Sequence, residues 1–331
     1  MSSEAGPDRI FFTEVGPRDG LQNLPLELPT EAKLELIRGL LDSGPDLVEA
    51  SAFVSPKWVP KLADAEVVMS RLIAERGPEV LSLVRVLVPN RQGLGRALAA
   101  GVKRVIVNVG VTDTFNQHNL NRSTAETMAE IGEVSQEAAH SGCLWDASLS
   151  VAFGCPYEGR VEPQRVVELA SEMAGLGASE ISVADTIGVA DPDQVSRLVG
   201  ALAKRVPLQQ LSLHLHDTRG MGLANALAGY RDGVRRFEGS VGGIGGCPFA
   251  PRSTGNICSE DLLYLLQRVG ASVGVDIEGL CQVALQLERT LGRELPGRLY
   301  RAGIWEPESA QAGEGGLAQT RGRPGGRSLV I

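Results

Sequence analysis

Leu211-Ser-Leu-His-Leu-His-Asp217 reads as the end of a β-strand. Apolar residues lead into His214 and His216, two positions apart, and side chains spaced by two share one face of a strand. Both imidazoles therefore point the same way, just ahead of the turn Asp217-Thr-Arg-Gly220. The chain has only four histidines. A neutral pair on one face suits a divalent metal; a pair of core or surface histidines is the plainer alternative.

Outward from this strand, apolar β-rich runs alternate with helical patterns. Strands are expected at residues 10–15, 46–51, 80–88, 104–109, 144–151, 180–184, 211–216 and 236–241. Helices are expected at 30–41, 58–76, 92–100, 124–140, 162–176, 192–205 and 221–233. Thr30, Ser123 or Thr124, and Asp191 are candidate N-caps. Two further helices follow at 259–269 and 276–291. Eight strands alternating with helices predict a (β/α)₈ TIM barrel with extra C-terminal helices. A doubly wound sheet would carry G-x-G-x-x-G after its first strand, and Gly16-Pro-Arg-Asp-Gly20 does not match. One catalytic domain over 8–300 is expected, and a disordered tail over 310–331, where the chain turns rich in Gly, Arg and Gln.

Composition narrows the classes. The 331 residues are 43% hydrophobic and 22% charged, ordinary for a globular protein, and only 4% aromatic, so aliphatic packing must dominate. A net charge of −8 argues against a nucleic-acid partner. No run of 18 apolar residues suggests a membrane span. The N-terminus shows no targeting pattern, which leaves the cytoplasm as the expected location. The five cysteines (143, 155, 247, 258, 281) fit neither a zinc pattern nor a disulfide framework and read as reduced thiols.

In a TIM barrel the C-terminal strand ends form the active face. After the first strand comes Glu14-Val-Gly-Pro-Arg-Asp-Gly-Leu-Gln-Asn23, where Arg18 and Asp19 sit in a Gly/Pro turn. Barrel closure makes the first and seventh strands near neighbours, so Asp19 reaches toward His214 and His216. Glu49 interrupts an apolar strand; it serves either something polar inside the barrel or a structural pair with an Arg. Asp185 stands at the end of the sixth strand, left free because Asp191 is the nearer helix cap. Glycine fills four of the five positions from Gly242 to Gly246, a loop that can approach a ligand closely and that presents Cys247. Its readings are a lid delivering an acid/base thiol, or a flexible linker with an incidental cysteine. Asn256 offers a neutral oxygen ligand or is an ordinary turn residue.

These segments resemble the hydroxymethylglutaryl-CoA lyases, members of a metal-dependent (β/α)₈ lyase and synthase superfamily. The resemblance rests on Glu14 to Asn23, Ser51-Ala-Phe-Val-Ser-Pro-Lys-Trp-Val-Pro60, Gly154-Cys-Pro-Tyr-Glu-Gly159, Asp185-Thr-Ile-Gly-Val189, His214-Leu-His-Asp-Thr218, Gly245-Gly-Cys-Pro-Phe-Ala250 and Gly255-Asn256. It spans residues 14 to about 265. It implies metal ligands at Asp19, His214, His216 and Asn256, with Mg²⁺ or Mn²⁺ as cofactor. It implies a catalytic Arg18 and Cys247, active-site acids Glu49 and Asp185, and Gln22 near the substrate. His214 or Asp185 would take the substrate's hydroxyl proton. The implied reaction is retro-Claisen cleavage of 3-hydroxy-3-methylglutaryl-CoA to acetyl-CoA and acetoacetate, a step of leucine degradation and ketone-body formation. The implied partners are an acyl-CoA substrate and further copies of the chain, as a homodimer or higher homo-oligomer.

Three departures bear on the acyl group: Arg219-Gly-Met-Gly222 after the H-x-H-D-T, Pro251-Arg252-Ser253 after the Cys loop, and Trp145-Asp-Ala147, which lacks a basic residue often present there. A relative acting on citramalyl-CoA or a longer-branched 3-hydroxyglutaryl-CoA would carry the same motifs. An acyl-CoA condensing synthase is the reading from another class; the lyase-type Cys loop and the expected lack of a regulatory domain stand against it.

Overall fold

The computed structural model describes residues 8–247 and 250–305, with backbone only at 247 and 250–254. Eight parallel strands close on themselves: β1 (Arg9–Glu14), β2 (Leu47–Ala52), β3 (Val84–Leu87), β4 (Arg104–Gly110), β5 (Leu144–Ser150), β6 (Ile181–Asp185), β7 (Leu211–Leu215) and β8 (Arg236–Gly239). β8 pairs back onto β1, setting Thr13 opposite Glu238 and Glu14 opposite Gly239. The expected TIM barrel is present. The expected tail lies outside the described residues.

The alternation along each strand explains where the core sits. Val105, Val107 and Val109 of β4, Trp145, Ala147 and Leu149 of β5, and Leu211, Leu213 and Leu215 of β7 belong to the hydrophobic core. The intervening residues face into the barrel, so Ile106, Asn108, Ser148, Ser150, His214 and His216 line one cavity. The apolar layer thus lies between strands and helices, and the barrel interior is largely polar.

The helices are α1 (Thr30–Asp42), α2 (Ala65–Arg76), α3 (Arg91–Ala99), α4 (Asp113–Leu120), α5 (Thr124–His140), α6 (Pro163–Gly175), α7 (Pro192–Leu202), α8 (Gly222–Arg231), α9 (Ser259–Arg268), α10 (Ile277–Leu291) and α11 (Leu299–Ala302). Ser123 caps α5 in a reciprocal box with Glu126, and Asp191 caps α7 by accepting from the Gln194 N–H at 2.8 Å. Thr30 begins its helix but does not cap it; its hydroxyl donates to Asp64 instead (2.7 Å).

Other boundaries move for local reasons. The third strand is shorter than expected because Pro78–Ser82 winds into a 3₁₀ turn, a start that proline's fixed φ favours. The second helix starts at Ala65 rather than Trp58, since Pro60 opens a separate 3₁₀ turn. The eighth strand stops at Gly239, and Val241–Gly243 turns as 3₁₀. Helix α4 was not expected: its polar sequence hides its anchor, Asn116, whose side chain accepts from the Gly110 N–H (2.8 Å) and donates to the Gly110 carbonyl (2.6 Å). The glycine-rich stretch continues into an antiparallel hairpin of β9 (Gly246–Cys247) and β10 (Ala250–Thr254). A last short strand, β11 (Ser272–Val273), pairs with the start of β1.

Candidate active site

The turn after β1 is a single π-helical turn, Gly16–Gly20, which directs Arg18 and Asp19 back over the barrel mouth. Arg18 donates through Nε to Glu49 and through Nη1 to Asp19 Oδ1 at 2.9 Å. His214 comes up from β7, and His216 follows just past the strand end, bridged to Asn256 through the backbone. The side chains of Asp19, His214, Asn256 and His216 meet here. His214 Nε2 lies 3.1 Å from His216 Nε2 and 3.8 Å from Asp19 Oδ2. Asn256 Nδ2 donates to Asp19 Oδ2 at 2.8 Å.

The electrostatics are consistent with a cation site. Burial works against the charged form of Asp19, but the charges of Arg18, His214 and His216 outweigh it and hold the carboxyl below its ordinary range. Burial, followed by the neighbouring His214, pushes His216 down to about 3, so it is neutral at pH 7. His214 is pulled down by burial, yet its hydrogen bond and charge contact with Glu238 leave it raised overall. The Glu238 carboxylate only accepts, so the 2.8 Å contact places a proton on His214 Nδ1 and turns Nε2 toward the cavity.

The donor set fits a divalent ion. Ligand atoms of Asp19, His214 and His216 all lie within 4.8 Å of one another. Two donors held at a right angle about 2.1 Å from one ion would be about 3.0 Å apart, close to the separation of the two imidazole nitrogens. Among the described residues, Asn256 Oδ1 and His216 Nδ1 are buried without a hydrogen-bond partner. The first of these is an oxygen of the type a hard cation takes.

The cluster floors a cavity of about 200 Å³ at the C-terminal end of the barrel, lined also by Gln22, Asn108, Ser150, Tyr157 and Thr186. Gly246 reaches its rim. Next to it, Gly245 has φ +111°, and a Cβ there would meet Asn256 Nδ2 at 2.7 Å. Only glycine lets the loop lie this close to the cluster. The backbone of Cys247 follows directly; its side chain lies outside the described residues.

Two expected residues behave differently from the sequence reading. Asp185 is not free: its oxygens accept from the Val189 N–H (2.9 Å) and the Ala190 N–H (3.1 Å), and the cavity is lined by its neighbours Ala184 and Thr186. Burial pushes its carboxyl up. Glu49 faces inward, and both of its oxygens hold a guanidinium, Arg18 on one and Arg85 on the other.

Arg85 is the residue the sequence reading missed. It is fully buried on β3 and bonds Glu238 at 2.6 Å. Below it, Arg104 clasps Asp146 through two bonds (2.8 and 2.9 Å), and Arg236 holds Glu180 at 2.9 Å. Asp146 lies in the β5 segment where a basic residue was noted as lacking, and its guanidinium partners come from β4 and, at 3.5 Å, from β3. Glu238 was missed too. The signal for both was the one read at Glu49, a charge interrupting an apolar strand: Val84-Arg-Val-Leu87 and Arg236-Phe-Glu-Gly239.

Comparison with known proteins adds the following. The model of the HMGL-like family matches residues 9–286. A hydroxymethylglutaryl-CoA lyase of Bacillus subtilis is 40% identical over 292 residues, covering 88% of this chain and 96% of that protein. An (R)-citramalyl-CoA lyase of Chloroflexus aurantiacus is 39% identical over 308 residues, covering 91% and 97%. The structure of an HMG-CoA lyase of Acinetobacter baumannii, in complex with coenzyme A and 3-methylmalate, superimposes with a TM-score of 0.84 at 36% identity over 91% of this chain and 97% of that one.

Proposed function

This chain belongs to the HMGL-like family and is a carbon–carbon lyase, and from that premise we propose that it cleaves 3-hydroxy-3-methylglutaryl-CoA to acetyl-CoA and acetoacetate with Mg²⁺ or Mn²⁺ bound. The observation that carries the reading is the Asp19–His214–His216 cluster beside Arg18 on the cavity floor. Asp19, His214, His216 and Asn256 would hold the cation. Bound there, a divalent ion supplies Lewis acidity toward the substrate's tertiary hydroxyl.

The other steps fall to the chain's own groups. Cleavage of the C2–C3 bond leaves a ketone on acetoacetate and an enolate on the departing acetyl-CoA. Arg18, fixed by Glu49 and Asp19, offers a positive charge to that enolate oxygen without reorganising. Cys247 is assigned the proton that the enolate carbon gains, with the hairpin excluding water. Gln22 contacts the acyl portion from the cavity wall. The hydroxyl proton goes to Asp185 or His214. With Nδ1 turned to Glu238, His214 has only Nε2 to offer, either to the cation or to the proton, and Asp185 must leave two backbone N–H groups to reach the hydroxyl. Asp185→Asn decides between them: lost turnover assigns the proton to Asp185, and kept turnover assigns it to His214.

Citramalyl-CoA is the second reading, supported by the near-equal identity to a citramalyl-CoA lyase. Among the described residues no helix is long and apolar enough to cross a membrane. An acyl-CoA partner, a homodimer or higher homo-oligomer, and a cytoplasmic location belong to the same proposal. The test is purified protein with Mn²⁺ and each thioester. Acetoacetate from the first substrate, abolished by EDTA, supports the main reading. Pyruvate from citramalyl-CoA with the first substrate left intact replaces it with the second.

A further inference from the structure

Two buried carboxylates stand between Arg85 and the site, and each is divided the same way. Glu49 gives Oε1 to Arg18 Nε above and Oε2 to Arg85 below, at 2.8 Å from Nε and 2.7 Å from Nη2. Glu238 gives Oε2 to His214 Nδ1 above (2.8 Å) and Oε1 to Arg85 Nη2 below (2.6 Å). The contacts run without a break as Arg18, Glu49, Arg85, Glu238, His214. Arg85 itself is fully buried and does not line the cavity.

We propose that Arg85 is a positioning residue for the reaction, one guanidinium that sets Arg18 through Glu49 and His214 through Glu238. The proposal rests on the functional reading above. A general role in neutralising the barrel interior would spread the contacts evenly, and they are uneven. Arg85 is 3.5 Å from Asp146 and 3.8 Å from Glu180, the two acids that Arg104 and Arg236 already hold. Its short bonds go only to the two carboxylates that grip site residues. Nη2 bonds both carboxylates and Nε bonds Glu49 as well, so the rigid plane fixes their relative placement; an ammonium is a rotatable point charge that sets no such angle. The carboxylates are buried as well, so without the fork they have no water to turn to.

Arg85→Lys in the full chain keeps the charge and removes the fork. The readouts are the thermal midpoint, kcat and KM, and the Kd for Mn²⁺ of metal-free protein measured without substrate. The expected result is a folded protein whose kcat falls about 10- to 100-fold, whose KM stays within roughly threefold, and whose Mn²⁺ affinity weakens about tenfold or more, the usual scale for a partner behind a metal ligand. Where lysine does not fold, Arg85→Gln with Asp146→Asn removes one charge of each sign and is read the same way. A folded variant of either kind with wild-type kcat and wild-type Mn²⁺ affinity overturns the proposal. The two readings fail separately: wild-type protein inert toward both thioesters overturns the functional one, whereas the Mn²⁺ titration uses no substrate and tests the positioning of the His214 and Asp19 side chains by itself.

Discussion

Glu238 and Glu14 sit on paired strands of one barrel, both buried, and they are held in opposite charge states. Glu238 points inward. Burial alone would push its carboxyl up, but the charge of Arg85 and the bond to His214 hold it well below the usual range. Glu14 points outward, between the strands and α9. It accepts from the Gly16 N–H (2.7 Å), the Val241 N–H (3.0 Å) and the Ser259 hydroxyl (2.6 Å). No cation is among these partners, and burial pushes its carboxyl up to about 8. Glu260, next along α9, accepts from the Gly242 N–H with both oxygens (3.1 Å each) and is pushed up to about 7, again by burial first. What separates the two regions is a guanidinium within reach, not depth.

The largest effect that could break this contrast is loss of the side chain. Glu238→Leu strands Arg85 and His214 without their shared partner, and removing one member of a buried pair costs about 3–5 kcal/mol. Glu14→Leu strands only neutral donors, at about 1–3 kcal/mol. Urea unfolding at pH 6 measures both. Equal losses would mean that the charge of the inner region contributes nothing beyond hydrogen bonding.

The same contrast explains what was legible in the sequence. The outer layer follows simple alternation and helix periodicity, so the barrel and most of its elements could be read directly. His214 and His216 stood out because two rare residues shared a strand face, Asp19 because it follows a strand end, Glu49 because it interrupts an apolar run, and Asn256 as a turn residue ahead of a helix. Arg85 and Glu238 did not stand out, because a charge in a strand ordinarily signals an exposed face. Only closure of the barrel turns that face inward and brings β2, β3 and β8 around one centre. The helix cap at Asp191 suggested that Asp185 was free, but a local turn closed by the Gly188 N–H on the Asp185 carbonyl brings the N–H groups of Val189 and Ala190 back to its side chain.

A second effect, spread over several pH units, is the pH dependence of the two regions, which has opposite sign. Glu238 and Asp19 are depressed in the folded state. The stability they contribute is present above the ordinary carboxyl pKa and is lost as pH falls through their folded values. Glu14 is raised, so its contribution is fully present below about 4.5 and is lost as pH rises toward about 8. One such group changes stability by at most about 1.4 kcal/mol per pH unit. Glu14→Gln isolates it, because the amide can accept from Gly16 and Val241 and donate to Ser259. The variant should match wild type near pH 5 and exceed it in stability by pH 8.5 in paired urea curves. Parallel curves across that range would show that Glu14 is ionised in the folded protein, removing the difference between the regions.

The smallest effect sharpens the contrast within the outer region itself. Glu260 lies on the same wall as Glu14, where among the described residues neither forms an ion pair, and its charge is one of the influences that raise Glu14. Glu260→Gln should therefore do two things. It should remove a loss of stability confined to the window from about 4.5 to about 7, narrower than that of Glu14 because its carboxyl is raised less. It should also let Glu14 ionise at a lower pH, since a neutral amide no longer opposes a second negative charge. Carboxyl-carbon NMR of the glutamates reads the second directly. With Glu260→Gln, a Glu14 titration that stays where it was would mean that the two carboxyls act independently. Burial alone, rather than repulsion between them, would then keep this wall protonated.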